Sequence, residues 1–265
     1  MKTEKVSELI VSWLKSYAKK NKISGFVIGV SGGIDSAVTS TLCAKTGLKV
    51  LCLEMPIKQN DEHVSRAKNH IQNLQLKYKN VSSELTDLNS VFISFCKEVN
   101  SQNHSLRNEL ALANSRARLR MTTLYYYAGT NNYLVVGTGN KVEDFGVGFY
   151  TKYGDGGVDI SPIADLLKSE VVKLGIYLEI SELIIKAKPS DGLYADSRSD
   201  EDQLGAGYDE LEWAMRVEDH NIKTENEFSS REKKVLGIYR SLNSKNKHKM
   251  VPIPICKIPN NLLKI

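Results

Sequence analysis

The stretch FVIGVSGGIDSAV, residues 26–38, passes from an apolar run into a turn of small and polar residues. The apolar run at 26–30 is typical of a buried strand, and residues 36–46 predict a helix that ends at Gly47. A glycine-rich turn between a strand and a helix points successive backbone N–H groups at one place, where the helix dipole adds positive potential. The stretch therefore predicts a phosphate-binding loop at the end of a strand.

This loop differs from the Walker A loop and from the dinucleotide-binding fingerprint. No Gly-Lys-Ser/Thr follows its glycines, and their spacing is not GxGxxG. Asp35 lies within the loop, where a carboxylate would repel phosphate unless a cation lies between them, and this indicates Mg²⁺. The alternative interpretation is a plain strand-to-helix turn in which Asp35 caps the helix.

Apolar runs alternate with helical patterns along the first half of the chain. Runs at 49–53 and 133–136 predict two more strands, and helical spacing predicts helices at the N-terminus and at 61–74, 86–99 and 107–127. This alternation predicts an α/β fold, a doubly wound and mostly parallel sheet with helices on both faces.

We expect residues 1–265 to form a single domain with two irregular segments. The polar, acidic segment at 188–212 is expected to be a mobile lid outside the core, and residues 245–265, which contain three prolines, to be an extended surface arm.

The composition is that of an ordinary globular protein, with 265 residues of which 41% are hydrophobic and 25% are charged. The net charge of +5 is too small to argue for nucleic acid and suits anionic small molecules equally well. Four scattered cysteines without CxxC spacing favour reduced thiols over a zinc site or disulfides. Because the chain has no signal-peptide core and no apolar run of membrane length, we expect a cytoplasmic protein without nucleic-acid or membrane partners.

Further motifs follow the loop SGGIDS (31–36) in a fixed order. They are NSRARLRM (114–121), GTGNKVED (137–144), FYTKYGDGGVDISPIADLLKSEV (149–171), KPSDGL (188–193), DEDQLGAGYDELE (200–212) and HK (248–249). Their order and spacing resemble those of the ammonia-dependent NAD synthetases, members of the ATP pyrophosphatase (adenine nucleotide alpha hydrolase-like) superfamily. The resemblance covers nearly the whole chain. The loop begins near residue 29, which leaves no room before it for the glutaminase domain of the longer members, so we expect the ammonia-using type.

The resemblance implies ATP-dependent amidation of deamido-NAD with ammonia. ATP, the co-substrate, would transfer AMP to the nicotinate carboxylate to give an NAD-adenylate, and ammonia would then displace AMP. The products would be NAD, AMP and pyrophosphate, and the enzyme would be a Mg²⁺-dependent homodimer. The alternative is the same amidation of nicotinate mononucleotide.

The resemblance also implies roles for individual residues. Asp35 and Glu143 would bind Mg²⁺, and Asp35 and Lys168 would be catalytic. The residues that would bind ATP are Gly29, Val30, Ser31, Gly32, Gly33, Ile34, Asp35, Ser36, Thr138, Lys168 and Ser190.

The second substrate, deamido-NAD, would bind to residues spread over the second half of the chain. By resemblance these are Arg118, Lys152, Asp159, His248 and Lys249.

Two positions depart from the usual pattern of the family. Asn60 stands where a basic residue is usual, so we expect a different contact on the adenine side. Gly139 and Asn140 stand where many members have Asp-His, so the positioning of ammonia or metal is expected to differ.

Two other classes of function stay open at this point. A tRNA-modifying enzyme of the same superfamily would be expected to have a stronger basic face and, for thiolases, paired catalytic cysteines. A non-catalytic nucleotide sensor would not need Asp35, Glu143 and Lys168 together.

Overall fold

A computed structural model of the chain describes residues 1–99, 105–190, 199–220 and 227–263. In these residues one sheet has the strand order β3-β2-β1-β4, and every neighbouring pair is parallel. The strands are β1 Gly25–Gly29, β2 Lys49–Glu54, β3 Val81–Leu85 and β4 Tyr133–Val135. The predicted doubly wound parallel sheet is confirmed.

Helices precede, connect and follow the strands. They are α1 Thr3–Lys20, α2 Ile34–Lys45, α3 Asp61–Lys77, α4 Asn89–Glu98, α5 Leu106–Asn131, a π-helix Val142–Val147, α6 Lys168–Tyr177, α7 Glu182–Ile185, α8 Asp200–Leu204, α9 Tyr208–Asp219, α10 Ser230–Met250 and α11 Asn260–Leu263. None of the helices in the described ranges is long and apolar enough to cross a bilayer.

Strand β1 is buried on both faces: its successive side chains point to opposite faces of the sheet, and helices cover each face. Phe26 and Ile28 point into a core built with α1, α2, α3 and α6, whereas Val27 points into a core built with α4 and α5. A strand buried on both faces needs apolar side chains at every position, which explains why β1 is a continuous apolar run in the sequence.

The second half of the chain forms its own apolar cluster. The π-helix, α9 and α10 pack around side chains such as Val142, Leu211 and Leu236. The sequence predicts that residues 188–212 form a mobile lid outside the core. Residues 200–212 instead pack against this cluster, and Asp200 and Glu212 are buried there.

The expected surface arm starts later than residue 245. Helix α10 continues to Met250, since no proline interrupts it before Pro252 and basic residues in its last turn favour a helix C-terminus. Residues 251–263 beyond it are exposed.

A buried histidine makes folding sensitive to pH. His70 of α3 is 5% exposed, and its Nε2 lies 2.9 Å from Ser40 Oγ. Burial lowers the pKa of His70 from 6.5 to about 4, so the unfolded chain binds more protons than the folded chain between these values. The contribution of a neutral His70 to stability is complete above pH 6.5 and is lost as the pH falls towards 4.

We predict that the free energy of unfolding, measured with urea, falls by about 2 to 3 kcal/mol more between pH 7 and pH 4.5 in the wild type than in His70→Gln. Glutamine keeps a polar group near Ser40 but does not titrate. Equal pH dependence in the two proteins would show that His70 is not responsible.

Candidate active site

The loop after β1 is shaped by a network of hydroxyl groups. The Ser36 hydroxyl donates to Gly33 O at 3.0 Å and accepts from Ser31 N at 3.2 Å, and the two serine hydroxyls lie 3.1 Å apart. Gly32 has φ +83°, and a Cβ there would lie 2.5 Å from His63 O, so no larger residue fits. The loop therefore leads β1 into the N-terminus of α2, as the sequence predicts.

The loop lies where the order of the strands reverses. Strands β2 and β3 extend the sheet on one side of β1, and the chain then returns to place β4 on the other side. Ligands of open α/β sheets bind outside the carboxyl ends of the strands at such a switch point. Thr138 and Glu143 both follow β4, and Glu143 is linked to Asp35 at the loop through Lys168.

A buried lysine joins the two predicted metal ligands. Lys168 Nζ lies 2.6 Å from Asp35 Oδ2 and 3.1 Å from Glu143 Oε1, although the three residues come from α2, the π-helix and α6. Burial alone would lower the pKa of Lys168, but the two carboxylates outweigh it and raise the pKa above its usual value. The ammonium group therefore stays charged and holds both carboxylates at the loop.

Asn140, at one departure from the family pattern, contacts the Asp35 carboxylate and the backbone of Glu143. Asn140 is fully buried; its Nδ2 donates to Asp35 Oδ1 at 3.2 Å, and its Oδ1 accepts from the backbone N–H groups of Val142 and Glu143. The neighbouring Gly139 leaves room for a carboxylate, since a Cβ there would lie 2.2 Å from Asp144 Oδ1. These two residues therefore organise the site, a role that the sequence did not reveal.

Helix α9 contributes a tyrosine that the sequence analysis did not identify. The Tyr208 hydroxyl donates to Glu143 Oε1 at 2.6 Å and lies 3.2 Å from Asp200 Oδ2. Lys168 Nζ is 4.8 Å from the centre of the Tyr208 ring. Burial and the nearby carboxylates raise the pKa of Tyr208, which keeps its hydroxyl protonated as a donor.

A second residue of α9 fixes the start of α6. The buried Glu212 accepts hydrogen bonds from the backbone N–H and the hydroxyl of Ser169, both at 2.8 Å. Because Ser169 follows Lys168 directly, this contact holds the helix end that carries the lysine.

Negative charge exceeds positive charge in this group. Asp144 lies close to Glu143, Asp155 and Asp35, and burial together with these carboxylates raises the pKa of Asp144 to about 8. Asp155 itself accepts a hydrogen bond from Thr151 N at 2.9 Å, which holds the turn between them. Asp35 and Glu143 share the one ammonium group of Lys168, so a further cation would balance their charge.

Four of the five residues predicted to bind deamido-NAD lie together. Lys152 Nζ donates to His248 O at 2.9 Å, Lys249 Nζ donates to the backbone oxygens of residues 148 and 150, and Arg118 Nη2 donates to Lys152 O at 3.3 Å. The fifth, Asp159, instead accepts from Val135 N at 2.8 Å and from the Tyr125 hydroxyl at 3.0 Å, at the end of β4.

The last predicted phosphate contact lies at the edge of the described structure. Ser190 is the final residue of the range 105–190, and residues 191–198 of the expected lid lie outside the described residues.

We predict that Asn140→Ala lowers the free energy of unfolding by about 2 to 3 kcal/mol, because it leaves buried polar partners unsatisfied. Asn131→Ala, which removes an exposed hydrogen bond to Tyr127 O, is the control and should cost less than about 1 kcal/mol. Urea denaturation measures both, and equal losses would contradict the organising role of Asn140.

Known proteins resemble this chain over nearly its full length. The family model of NAD synthase matches residues 6–252. The NH(3)-dependent NAD(+) synthetase of Carboxydothermus hydrogenoformans is 41% identical over 210 residues, which are 79% of this chain and 84% of that protein.

Two solved structures are also similar. The NMN synthetase of Francisella tularensis has a TM-score of 0.83 and 31% identity, over 98% of this chain and 99% of that one. The NH3-dependent NAD synthetase of Campylobacter jejuni, in complex with the nitrate ion, has a TM-score of 0.78 and 28% identity, over 97% of this chain and 100% of that one. The chain belongs to the NAD synthase family.

Proposed function

We propose that this protein is an NH3-dependent NAD synthetase, a ligase that uses ATP and ammonia to convert deamido-NAD to NAD. Its membership of the NAD synthase family supports this activity. The observation that carries the proposal is the Asp35–Lys168–Glu143 group beside a glycine-rich loop at the switch point of the sheet. Such a site suits the handling of phosphates and their counter-cation.

The reaction requires activation because a carboxylate is a poor acyl electrophile. In the first step, a nicotinate carboxylate oxygen forms a bond to the α-phosphorus of ATP. The bond from that phosphorus to its bridging oxygen breaks, and pyrophosphate leaves with the electron pair. In the second step, ammonia attacks the acyl carbon, AMP leaves, and the new amide loses a proton. The protein contributes position, opposite charge and exclusion of water.

Different residues around the loop would bind the phosphates and stabilise the charge that develops on them. Residues 29–36 would bind the phosphates through backbone N–H groups, with Thr138 and Ser190 as further contacts. Lys168 would face the negative charge that develops as pyrophosphate leaves. The buried ammonium is held ready for this by its two carboxylate partners.

A magnesium ion fits the residues that are present. Asp35 and Glu143 offer hard oxygen ligands, and the two carboxylates share a single ammonium group, that of Lys168. No cluster of three or more His, Cys, Asp or Glu able to hold a metal occurs in the described part of the chain. Mg²⁺ usually binds to one or two carboxylates together with substrate phosphates. Bound there, it would neutralise phosphate charge.

The deamido-NAD site would be formed by the group of Arg118, Lys152, His248 and Lys249, with Asp159 as a further contact. Arg118, Lys152 and Lys249 supply cationic side chains suited to the dinucleotide pyrophosphate. Residues 191–198 of the expected lid at 188–212 lie outside the described residues, so its role in excluding water from the adenylate stays a prediction.

We also propose a cytoplasmic homodimer. Leu106 and Leu110 lie one turn apart on α5 and are 78% and 53% exposed, which supports an apolar contact with a second copy. The cytoplasm supplies ATP and keeps thiols such as Cys43 reduced.

A second candidate is the same amidation of nicotinate mononucleotide. The similarity to the NMN synthetase of Francisella tularensis, with a TM-score of 0.83, favours testing it. Both substrates carry the same nicotinate carboxylate and differ only in the adenylate half, so the chemistry at Lys168 would be unchanged.

We predict that the protein with ATP, Mg²⁺, deamido-NAD and ammonium produces NAD, AMP and pyrophosphate in equal amounts, measured by mass spectrometry. The specificity constant should be higher for deamido-NAD than for nicotinate mononucleotide. ADP as a product would contradict adenylation, and a strong preference for glutamine would contradict the use of free ammonia.

We predict that Asp35→Asn and Glu143→Gln each reduce kcat by about 100-fold or more, because each loses a charged ligand at the phosphates. Glu182→Gln, which alters an exposed ion pair on α7, is the control and should match the wild type. Circular dichroism checks the fold of each variant, and rates are compared at limiting Mg²⁺. A wild-type rate in either variant would contradict a role for that residue in binding Mg²⁺.

A further inference from the structure

The phosphate loop has a second cationic neighbour, Arg66 of α3. Helix α3 follows β2 and packs directly on the loop: a Cβ on Gly32 would lie 3.1 Å from Ala67 N and 3.2 Å from Arg66 Cβ. Arg66 Nε donates to Gly32 O at 3.2 Å. The arginine is therefore attached to the loop backbone itself.

The charge of Arg66 is only weakly compensated. Its Nη1 lies 3.8 Å from Glu62 Oε2, but the Glu62 side chain is 81% exposed and thus well screened by water. The Arg66 side chain is only 17% exposed, so its stem is held against the loop. Lys168, in contrast, already faces two carboxylates.

Asn60, the residue at the other departure from the family pattern, is not available to bind phosphate at the loop. Asn60 is the N-cap of α3, and its side chain accepts a hydrogen bond from Glu62 N at 3.0 Å. It is uncharged and occupied at the helix end. Along α3, the guanidinium that reaches the loop belongs to Arg66.

We propose that Arg66 binds the β- and γ-phosphates of ATP and retains the pyrophosphate as it leaves. This proposal rests on the proposed use of ATP, and it adds Arg66 to the residues that would bind ATP. A guanidinium group that donates one N–H to the loop still has a planar fork of donors for phosphate oxygens. The loop then has two cationic neighbours, Lys168 at Asp35 and Arg66 at Gly32.

The first chemical step explains why this position matters. When the carboxylate oxygen bonds to the α-phosphorus, the electron pair of the broken bond passes to the bridging oxygen of pyrophosphate. Negative charge therefore grows on the β-phosphate, and a guanidinium held at Gly32 stabilises it.

Three variants and a matched control test the proposal. Arg66→Gln removes the charge but keeps an N–H donor for Gly32 O, and Arg66→Lys keeps the charge. Arg66→Met, which keeps the aliphatic stem, serves if Arg66→Gln does not fold. The control is Lys68→Gln, which removes an exposed positive charge two residues along the same helix.

Calorimetry with magnesium pyrophosphate and with adenosine measures the binding of each half of the nucleotide. We expect Arg66→Gln to weaken pyrophosphate binding by about 10- to 100-fold and to raise the KM for ATP similarly. Adenosine binding should change less than about twofold, and Arg66→Lys should recover part of the loss. The salt dependence of pyrophosphate binding should also become shallower in Arg66→Gln.

Two results would overturn the proposal. One is equal pyrophosphate affinity in Arg66→Gln and Lys68→Gln. The other is a loss in Arg66→Gln with an unchanged salt dependence and no recovery in Arg66→Lys, which would mean that Arg66 only shapes the loop. Failure of the wild type to amidate deamido-NAD would refute the proposed function instead, because pyrophosphate binding is measured without turnover.

Discussion

The site depends on one buried ammonium group shared by two carboxylates. Lys168 brings Asp35, at the start of α2, to Glu143 in the π-helix, and so connects the core under the sheet to the apolar cluster of the second half. Burying three charges costs solvation free energy, and only well-oriented partners offset that cost. Asn140 and Tyr208 provide this orientation.

This arrangement gives the site a defined electrostatic character before any nucleotide arrives. The carboxylates around Lys168 outnumber it, so the potential there favours cations. The glycine loop beside them favours anions, because it opens at a helix N-terminus. A metal–triphosphate complex carries both signs of charge: its metal suits the carboxylates and its phosphates suit the loop. A free anion suits only the loop.

Local sequence patterns predicted the parts of the fold that are set by local physics. Strand β1, the loop and α2 follow from an apolar run, two glycines and helical spacing, and the structure confirms them. Strand β3 was missed, since its sequence VSSEL is polar and lies at the sheet edge, where only part of it is buried. The roles of Asn140 and Tyr208 could not be predicted, because each depends on residues that are distant in the sequence. Glu212 lies in the segment that the sequence predicts to be a mobile lid, and its burial could not be predicted for the same reason, because its partner Ser169 is distant in the sequence.

The π-helix Val142–Val147 adds a restriction on how this segment can change during evolution. Its wider turn spaces Glu143, which faces the lysine, from Val147, which is fully buried in the second cluster. Deleting one residue would restore α-helical spacing and rotate one end against the other by about 100°. Either Glu143 would then turn away from Lys168 or Val147 would leave the core. Length changes in this segment should therefore be rarer among functional descendants of this sequence than substitutions within it.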